Sequence, residues 1–225
     1  MVLRGERHII VSENANRGYW TGGHYPEAWT PVSVFKRYDR EPRGSGVEPH
    51  YHDGDEFWLF AEGEGEVWLG DRVYPITPNT AVYTPRGVVH RFQMFTEFQN
   101  NALVTRLEVR QRQGHLVPAA DGEPRALAAP IIVGGEENSG PFLDRGPRCP
   151  LSELRVVDLG TGEVPSDLDG AALTNEHLLV LSGAVELTAD GVTVTVARGD
   201  VALLRADASR RVASTAGARV ALARE

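Results

Sequence analysis

The sequence predicts an all-β protein that contains two copies of one β unit. Short runs of alternating or β-branched residues recur along the 225 residues, and glycine, proline and aspartate separate them. Helical periodicity is hard to find anywhere. The two halves also repeat a pattern of residues at one constant offset, which indicates duplication of a single unit.

The first group of predicted strands lies before residue 110. Its runs are "PVSVFKRY", "EFWLF", "EVWL", "AVYTP", "VVHRFQMF" and "ALVTRLEV". The run "EFWLF" is apolar at successive positions, so we expect that strand to be covered on both faces. All four tryptophans, all six tyrosines and six of the seven phenylalanines precede residue 100. Aromatic side chains form the apolar walls of small-molecule pockets, so we expect the pocket in this copy.

A segment rich in glycine, proline and charge follows these strands. We predict a linker at residues 116–149, between a metal-binding domain at 1–115 and a degenerate domain at 150–225. The glycines of "VGGEENSG" lack the strand-then-helix context of a phosphate-binding loop, which favours a plain connection. The single cysteine, Cys149, ends the linker, so an internal disulfide is impossible.

The second group of predicted strands comprises "SELRVVDL", "EHLLVLSG", "AVELTA", "VTVTVA", "DVALLR" and "ARVALA". The turns between them, such as "ADG" and "ARGD", carry glycine where a positive φ is expected. This group matches the first at an offset of 120 residues. The corresponding pairs are Glu56 and Glu176, Gly63 and Gly183, Asn79 and Gly199, and Pro85 and Arg205.

The composition excludes several classes of partner. The formal net charge is −8, and lysine and arginine are scattered, whereas binding to nucleic acid or to an anionic membrane needs a clustered positive field. No signal peptide or run of about 18 apolar residues is present. We therefore expect a cytoplasmic protein with a small-molecule substrate, and neither a nucleic acid nor a membrane as partner.

Four side chains form the candidate chemical site. His50 and His52 lie two residues apart and project from the same side of an extended chain, and Glu56 returns to that side after the turn "DGD". His90 lies in another predicted strand. Three imidazoles and one carboxylate that converge from two strands form a site for a divalent transition metal. A lone histidine is more often structural, and we so interpret His8, His24, His115 and His177.

The spacing of these residues matches a family pattern. The stretch from Gly44 to Gly63 has the order and spacing of the first cupin motif, and Pro85, Gly87 and His90 match the second. Asn79 and Met94 replace the opening glycine and the closing asparagine of that second motif. The chain therefore resembles the cupin superfamily and, with its repeat, the two-domain bicupins.

The resemblance implies a fold and a metal site. The fold is two cupin-type double-stranded β-helix (jelly-roll) barrels, and such proteins often dimerise through exposed strands, so we expect a homodimer. The first barrel would hold one divalent ion, either Fe, Mn, Zn, Ni or Cu. The implied ligands are His50, His52, Glu56 and His90, with Glu56 and His90 assigned the catalytic roles.

The predicted pocket surrounds these ligands. Trp58 and Phe60 share a face with Glu56, and Phe92 and Met94 share one with His90. Tyr83 and Lys36 complete the predicted pocket. A proton-transferring base cannot be singled out from the candidates Lys36, Tyr38, Tyr83, Glu62 and Glu64. Asp53 and Asp55 are interpreted as turn residues, with orientation of a metal ligand as the alternative role.

The second copy has lost the ligand set. Gly170, Ala172 and Arg210 stand where the three histidines would repeat, and only Glu176 remains. One carboxylate cannot hold a transition metal in water, so we expect this copy to be metal-free. Its expected role is to pack against the first copy or to complete the pocket wall.

Three functions fit these observations. The favoured one is isomerase or epimerase, or lyase, chemistry on a small sugar-like polyoxygenated metabolite, with the metal as Lewis acid. The alternative is a dioxygenase that uses Fe, Cu or Ni on a small organic substrate. The third is a non-catalytic bicupin that binds a small molecule, which the retention of all four ligands disfavours.

Overall fold

The computed structural model is an all-β protein, as the sequence predicts. It describes residues 1–12, 24–26, 29–38, 42–52, 54–97, 101–106, 116–117, 131–133 and 149–225. Seventeen strands lie in these residues. Among the same residues, no helix has the length and hydropathy of a membrane span.

The strands are numbered in chain order. They are β1 Val2–Arg4, β2 His8–Val11, β3 Val32–Tyr38, β4 Asp55–Phe60, β5 Gly65–Leu69, β6 Arg72–Ile76, β7 Thr80–Thr84, β8 His90–Met94, β9 Asn101–Arg106, β10 Ile131–Val133, β11 Glu153–Leu159, β12 Asp169–Ala171, β13 Glu176–Ala189, β14 Val192–Ala197, β15 Val201–Leu204, β16 Ser209–Ala213 and β17 Ala218–Arg224.

The chain divides into two compact units. The central unit is Tyr38–Arg155, and the terminal unit combines Met1–Arg37 with Val156–Glu225. This division differs from the predicted one, because the β1–β2 hairpin pairs with β15 and so joins the terminal unit. Most of the predicted linker at 116–149 lies outside the described residues, so that boundary stays a prediction.

The terminal unit is built around its longest strand, β13. This strand pairs with β14, β15, β16 and β17, and β15 in turn pairs with β2. Its register against β17 shifts between Val180 and Ser182, which lets one strand take part in successive sheets. The core contains aliphatic side chains such as Leu178, Val180 and Leu222, all at most 1% exposed. The composition of the second copy, rich in Val, Leu and Ala, accounts for this core.

The central unit contains strands of two sheets. Within this unit the strand orders are β10-β7-β4-β9 and β6-β5-β8, and the boundary between the units falls inside β3. Both sheets contribute to one aromatic core, with Trp58 and Phe60 from β4 and Phe92 and Met94 from β8. The other face of β4 is also buried, since Phe57 and Leu59 are fully inaccessible. This confirms the expectation that "EFWLF" is covered on both sides.

The predicted repeat has a structural counterpart in a backbone turn of each copy. Asn79 donates its N–H to the carbonyl of Phe60 at 2.7 Å, and Gly199 donates to Val180, 120 residues later, at 2.8 Å. Both donors have a positive φ, 68° for Asn79 and 84° for Gly199. Asparagine tolerates this conformation better than most residues, which explains how it replaces the motif glycine.

A second turn repeats in the same way. Gly87 donates its N–H to the carbonyl of His52 at 2.9 Å, and Asp207 donates to Ala172, again 120 residues later, at 2.8 Å. The two donors have φ values of 78° and 67°. A shared offset in hydrogen bonds and in backbone conformation confirms the duplication of one β unit.

Candidate metal centre

The four predicted ligands converge in the central unit. His50 and His90 face each other in an isolated antiparallel bridge, with N–H to carbonyl distances of 3.1 and 2.8 Å in the two directions. His52 follows at the next position on the same side of the chain, and Glu56 lies on β4. One ligand atom from each residue lies within 4.8 Å of the others, and each residue is at most 5% exposed.

The turn between β7 and β8 donates backbone hydrogen bonds to one ligand residue of the cluster and to the first residue of β4. Its Gly87 N–H binds the carbonyl of His52, and its Arg86 N–H donates to Asp55 Oδ1 at 3.0 Å. The turn sequence "TPRG" therefore ties one ligand and the start of β4 together. Asp55 was predicted to form a turn, but it is the first residue of β4 and accepts from the turn between β7 and β8; Asp53 lies outside the described residues.

Two backbone carbonyls orient two of the imidazoles. His50 Nδ1 lies 2.7 Å from the Glu48 carbonyl oxygen, and His90 Nδ1 lies 2.8 Å from that of Val88. A carbonyl oxygen only accepts hydrogen bonds, so Nδ1 must carry the proton in both rings. In the neutral imidazole the lone pair then lies on Nε2, which is the form that ligates metals.

The carboxylate of Glu56 is the electrostatic centre of the cluster. Its Oε1 lies 3.3 Å from His52 Nε2, and its Oε2 lies 2.9 Å from His90 Nε2 and accepts a hydrogen bond from Trp58 Nε1 at 2.9 Å. Burial raises the pKa of Glu56, but hydrogen bonds and charge from His52 and His90 outweigh it and hold that pKa well below its usual range. Glu56 is therefore ionised at neutral pH.

The donor set fits a divalent transition metal. A neutral His90 would direct the lone pair of Nε2 at the Oε2 of Glu56 across 2.9 Å, and two lone pairs at that distance repel unless a cation lies between or beside them. Only a proton or a metal ion can supply that charge in a site so deeply buried. Three imidazoles with one carboxylate suit Fe, Zn, Cu, Ni and Mn.

The aromatic residues predicted for the pocket form a packed layer beside the cluster. Trp58 has its ring centroid 5.9 Å from Phe60 and 5.2 Å from Phe92, and Phe60 lies 5.5 Å from Phe92. Trp58 touches the cluster through Glu56. Phe60 and Met94 are fully inaccessible and belong to the apolar core.

Other predicted pocket residues lie elsewhere in the central unit. Tyr83 points to the opposite face of β7 from the cluster, because it pairs with Phe57 and stacks on it at 4.8 Å, so its placement in the pocket is corrected. Glu62 and Glu64 lie beyond the far end of β4, whose last residue, Phe60, is about 13 Å along the strand from Glu56. Neither position suits a base at the cluster.

The remaining candidates are on β3 or outside the central unit. Lys36 is half-buried on β3 and belongs to the terminal unit, and the side chain of Tyr38 is outside the described part. His8 and His177 belong to the terminal unit, as does His24, and His115 is not among the described residues. None of the described histidines in this group joins a metal-ligand cluster.

In the terminal unit a guanidinium occupies the position of the lost histidine. Arg210 binds Glu176 through two atoms, with Nε to Oε2 at 2.5 Å and a terminal nitrogen to Oε1 at 2.9 Å. Arg224 Nε also donates to Oε1, at 2.9 Å. Arg210 further donates to the carbonyls of Gly170 and Asp167 at 3.0 and 2.8 Å. Both oxygens of the retained carboxylate are thus engaged by fixed cations.

Some features of the site were missed from the sequence. The Trp58 hydrogen bond to Glu56 and the carbonyl partners of His50 and His90 depend on side-chain rotamers, which spacing does not reveal. Thr84 was also overlooked, although it directly opposes Glu56 in the pairing of β7 with β4. The signal in the sequence was its position immediately before the motif residue Pro85.

Comparisons with known proteins agree with this architecture. Residues 37–98 match the family described as cupin domain. An uncharacterized protein, y4oW, of Sinorhizobium fredii (strain NBRC 101917 / NGR234) is 33% identical over 88 residues, which are 39% of this chain and 41% of that protein. The match thus spans less than half of that relative.

Two solved structures share the fold. Oxalate decarboxylase from Bacillus subtilis aligns with a TM-score of 0.59 and 13% identity, over 100% of this chain and 74% of that one. The protein YhaK from Escherichia coli aligns with a TM-score of 0.59 and 13% identity, over 96% and 92% of the two chains. Mn(II) centres are known in the oxalate decarboxylase.

The sequence match and the shared architecture define the fold as cupin-like. The residues that match the cupin domain family, 37–98, contain all four potential metal ligands. The 120-residue structural repeat shows two copies of one β unit, and the potential metal ligands belong to the first copy.

Proposed function

We propose that the protein is a metal-dependent enzyme that isomerises, epimerises or cleaves a small polyoxygenated metabolite. The buried cluster of three imidazoles and one carboxylate carries this proposal. His50, His52, Glu56 and His90 would hold a divalent ion there, and the ion would supply Lewis-acid chemistry toward substrate oxygens. Four ligands kept together in a buried site favour catalysis over binding alone.

The residues of the chain contribute three effects. Glu56 stays ionised and so supplies the negative charge of the site. The carbonyls of Glu48 and Val88 fix the tautomers of two histidines, which keeps their Nε2 atoms available. Trp58 holds one carboxylate oxygen by a hydrogen bond and covers it with an apolar ring, which excludes water on that side.

The structural neighbours give a starting point for assays. An oxalate decarboxylase with Mn(II) centres has this fold, and oxalate is a small compound with adjacent oxygens. This similarity supports lyase chemistry as one arm of the proposal. We therefore place Mn²⁺, hydroxy acids and small dicarboxylates, together with sugars, first in a substrate survey.

The second candidate is a dioxygenase. Trp58 lies directly beside Glu56 and packs edge-on against Phe92, and an apolar wall of this kind suits an organic substrate and O₂. This reading needs a redox-active ion. The identity of the bound metal therefore separates the two candidates.

Metal analysis combined with oxygen-electrode assays tests the proposal. Protein purified aerobically and anaerobically is analysed for metal and then assayed against sugars, hydroxy acids, oxalate and catechols. Zinc or manganese with product formation and no O₂ uptake supports isomerase or lyase chemistry. Iron or copper with substrate-dependent O₂ uptake supports the dioxygenase, and stoichiometric metal with ligand binding but no product supports the binding-only function.

A matched pair of variants controls these assays. His90→Ala removes one ligand and is expected to abolish metal retention and turnover together. Arg91→Ala alters the adjacent exposed residue, which stacks over Trp68 at 4.1 Å, and should leave both unchanged. Tight metal retention by His90→Ala contradicts the assigned ligand set.

Partners and location belong to the same proposal. We propose a small-molecule substrate, no nucleic-acid partner, a cytoplasmic location and a homodimer. The net charge of −8 and the single cysteine support the absence of nucleic acid and of an internal disulfide. Light scattering after gel filtration tests the dimer, and a monomeric mass contradicts it.

A further inference from the structure

One buried hydroxyl lies next to the metal centre and has no role in the function described above. Thr84 is the last residue of β7 and pairs directly with Glu56 of β4. Directly opposed residues of antiparallel strands share a face, with Cβ atoms about 5 Å apart, so the Thr84 side chain lies on the face of the cluster. Thr84 is 2% exposed, and its Oγ1 has no hydrogen-bond partner among the described residues.

An equivalent threonine shows that this strand can satisfy a hydroxyl. Thr80 lies on the same face of β7, opposite Phe60 instead of Glu56, and is fully inaccessible. Its Oγ1 accepts a hydrogen bond from the Thr77 N–H at 3.1 Å. Of these two threonines on β7, the one beside the metal ligands lacks a hydrogen-bond partner and the other has one. The missing partner is therefore a property of the position of Thr84, and not of the strand.

The second copy provides an internal comparison. There Glu176 pairs with Leu204 as Glu56 pairs with Thr84, and both positions are offset by 120 residues. Leu204 is fully inaccessible, so this position of the repeat accepts an apolar side chain without loss of the fold. The copy whose carboxylate is engaged by arginines carries leucine, and the copy with the potential metal site carries threonine.

We infer that Thr84 binds the ligand that occupies the metal centre, through a hydrogen bond between its hydroxyl and a ligand oxygen. A buried hydroxyl without a hydrogen-bond partner destabilises a fold. Leu204, at the equivalent position of the other copy, shows that the fold does not require a hydroxyl there. A hydroxyl can donate to a carboxylate, carbonyl or hydroxyl oxygen, and it can also accept from a ligand hydroxyl. The ligand class is thus a small oxyacid or polyol, which rests on the proposed function.

Three variants of the full chain test this inference. Thr84→Val removes the hydroxyl with little change in shape, Thr84→Ser retains it, and Thr80→Val makes the same change elsewhere on that face. Each protein is loaded with Mn²⁺, its metal content is measured, and its affinity for glycolate and for oxalate is determined by calorimetry.

We expect only one of the three variants to lose affinity for glycolate and oxalate. Thr84→Val should bind Mn²⁺ as the wild type does, and its affinity for glycolate or oxalate should fall about tenfold, which is typical of one lost hydrogen bond. Thr84→Ser should retain most of the affinity, and Thr80→Val should retain it fully. Thermal unfolding of the metal-free proteins should show no loss of stability for Thr84→Val.

The remaining outcomes separate this inference from the proposed function. Equal affinity of wild type and Thr84→Val would mean that the hydroxyl serves only a buried water, and would overturn the inference alone. Loss of Mn²⁺ from Thr84→Val would also overturn it, because the residue would then act on the metal site. If Mn²⁺-loaded wild type bound neither glycolate nor oxalate, both the inference and the proposed oxygen-ligand function would fail.

Discussion

At the scale of single residues, hydrogen bonds from groups outside the cluster orient its ligand side chains. Two histidines donate from Nδ1 to carbonyls, and one carboxylate oxygen of Glu56 is held by Trp58. Such outer contacts fix ligand orientation before a metal arrives. The site is therefore organised by the fold and not only by the ion.

The Trp58 hydrogen bond gives the residue-scale prediction. Trp58→Phe keeps an aromatic ring but removes the N–H that Glu56 Oε2 accepts at 2.9 Å. We expect the affinity for Mn²⁺ or Zn²⁺ to fall about 10- to 100-fold, as is typical when an outer contact of a metal ligand is lost. Competition with a chelating dye measures the affinity.

Trp68→Phe is the control for this variant. Trp68 lies on β5, outside the cluster, and stacks with Arg91. Its replacement should leave metal affinity unchanged. An equal loss in both variants would mean that general packing, and not the bond to Glu56, sets the affinity.

At the scale of elements, equivalent strands of the two copies each carry a buried glutamate, and the two copies surround its negative charge with different side chains. The central unit surrounds a buried glutamate with imidazoles, and the terminal unit surrounds Glu176 with guanidinium groups of Arg210 and Arg224. A buried carboxylate needs a compensating cation in either case. In the terminal unit the compensating cations are arginine side chains of the protein itself.

The arginine of β16 provides the prediction at this scale. Arg210→Met leaves Glu176 buried with a reduced set of partners and should lower the free energy of unfolding by about 3 kcal/mol or more. Adding Glu176→Leu removes the carboxylate as well and should restore most of that loss. Urea denaturation of the single and double variants measures both effects, and additive losses would contradict the account.

A second ionic contact in the terminal unit predicts acid sensitivity. Burial raises the pKa of Glu225, but hydrogen bonds from His177, Thr30 and Asn175 outweigh it, so the folded pKa lies below the ordinary value. A depressed folded pKa stabilises the fold above the unfolded pKa, and this stability is lost as pH falls through the folded pKa.

Glu225→Gln tests this contribution. The wild type should lose thermal stability as pH falls from about 5 towards 3, and the variant should lose less over that range because one ionisable partner is gone. Glu163→Gln, at an exposed turn carboxylate that accepts a bond from the Gly160 N–H, is the control. Parallel pH profiles for wild type and Glu225→Gln would contradict the assigned role.

At the scale of the whole molecule, the features that could be predicted from the sequence are those that depend on the spacing of residues along the chain. Alternation along a strand places His50 with His52, and one constant offset reveals the repeat, so the all-β class and the four clustered ligands follow from the residues alone. The 120-residue offset recurs in the backbone hydrogen bonds of both copies.

What could not be predicted depends on long-range pairing. The β1–β2 hairpin joins β15, about 190 residues away in sequence, and no local pattern identifies that partner. Tyr83 was misplaced because the face it occupies depends on its register against Phe57. Thr84 was overlooked for the same reason, since its opposition to Glu56 exists only once β4 and β7 pair.

The central claim is that the first copy holds a metal ion and the second does not. X-ray diffraction of metal-loaded crystals, recorded on both sides of the metal absorption edge, tests it most directly. The account predicts one anomalous peak at about 2.0–2.3 Å from ligand atoms of His50, His52, Glu56 and His90. No peak at that cluster, or a peak beside Glu176, would contradict it.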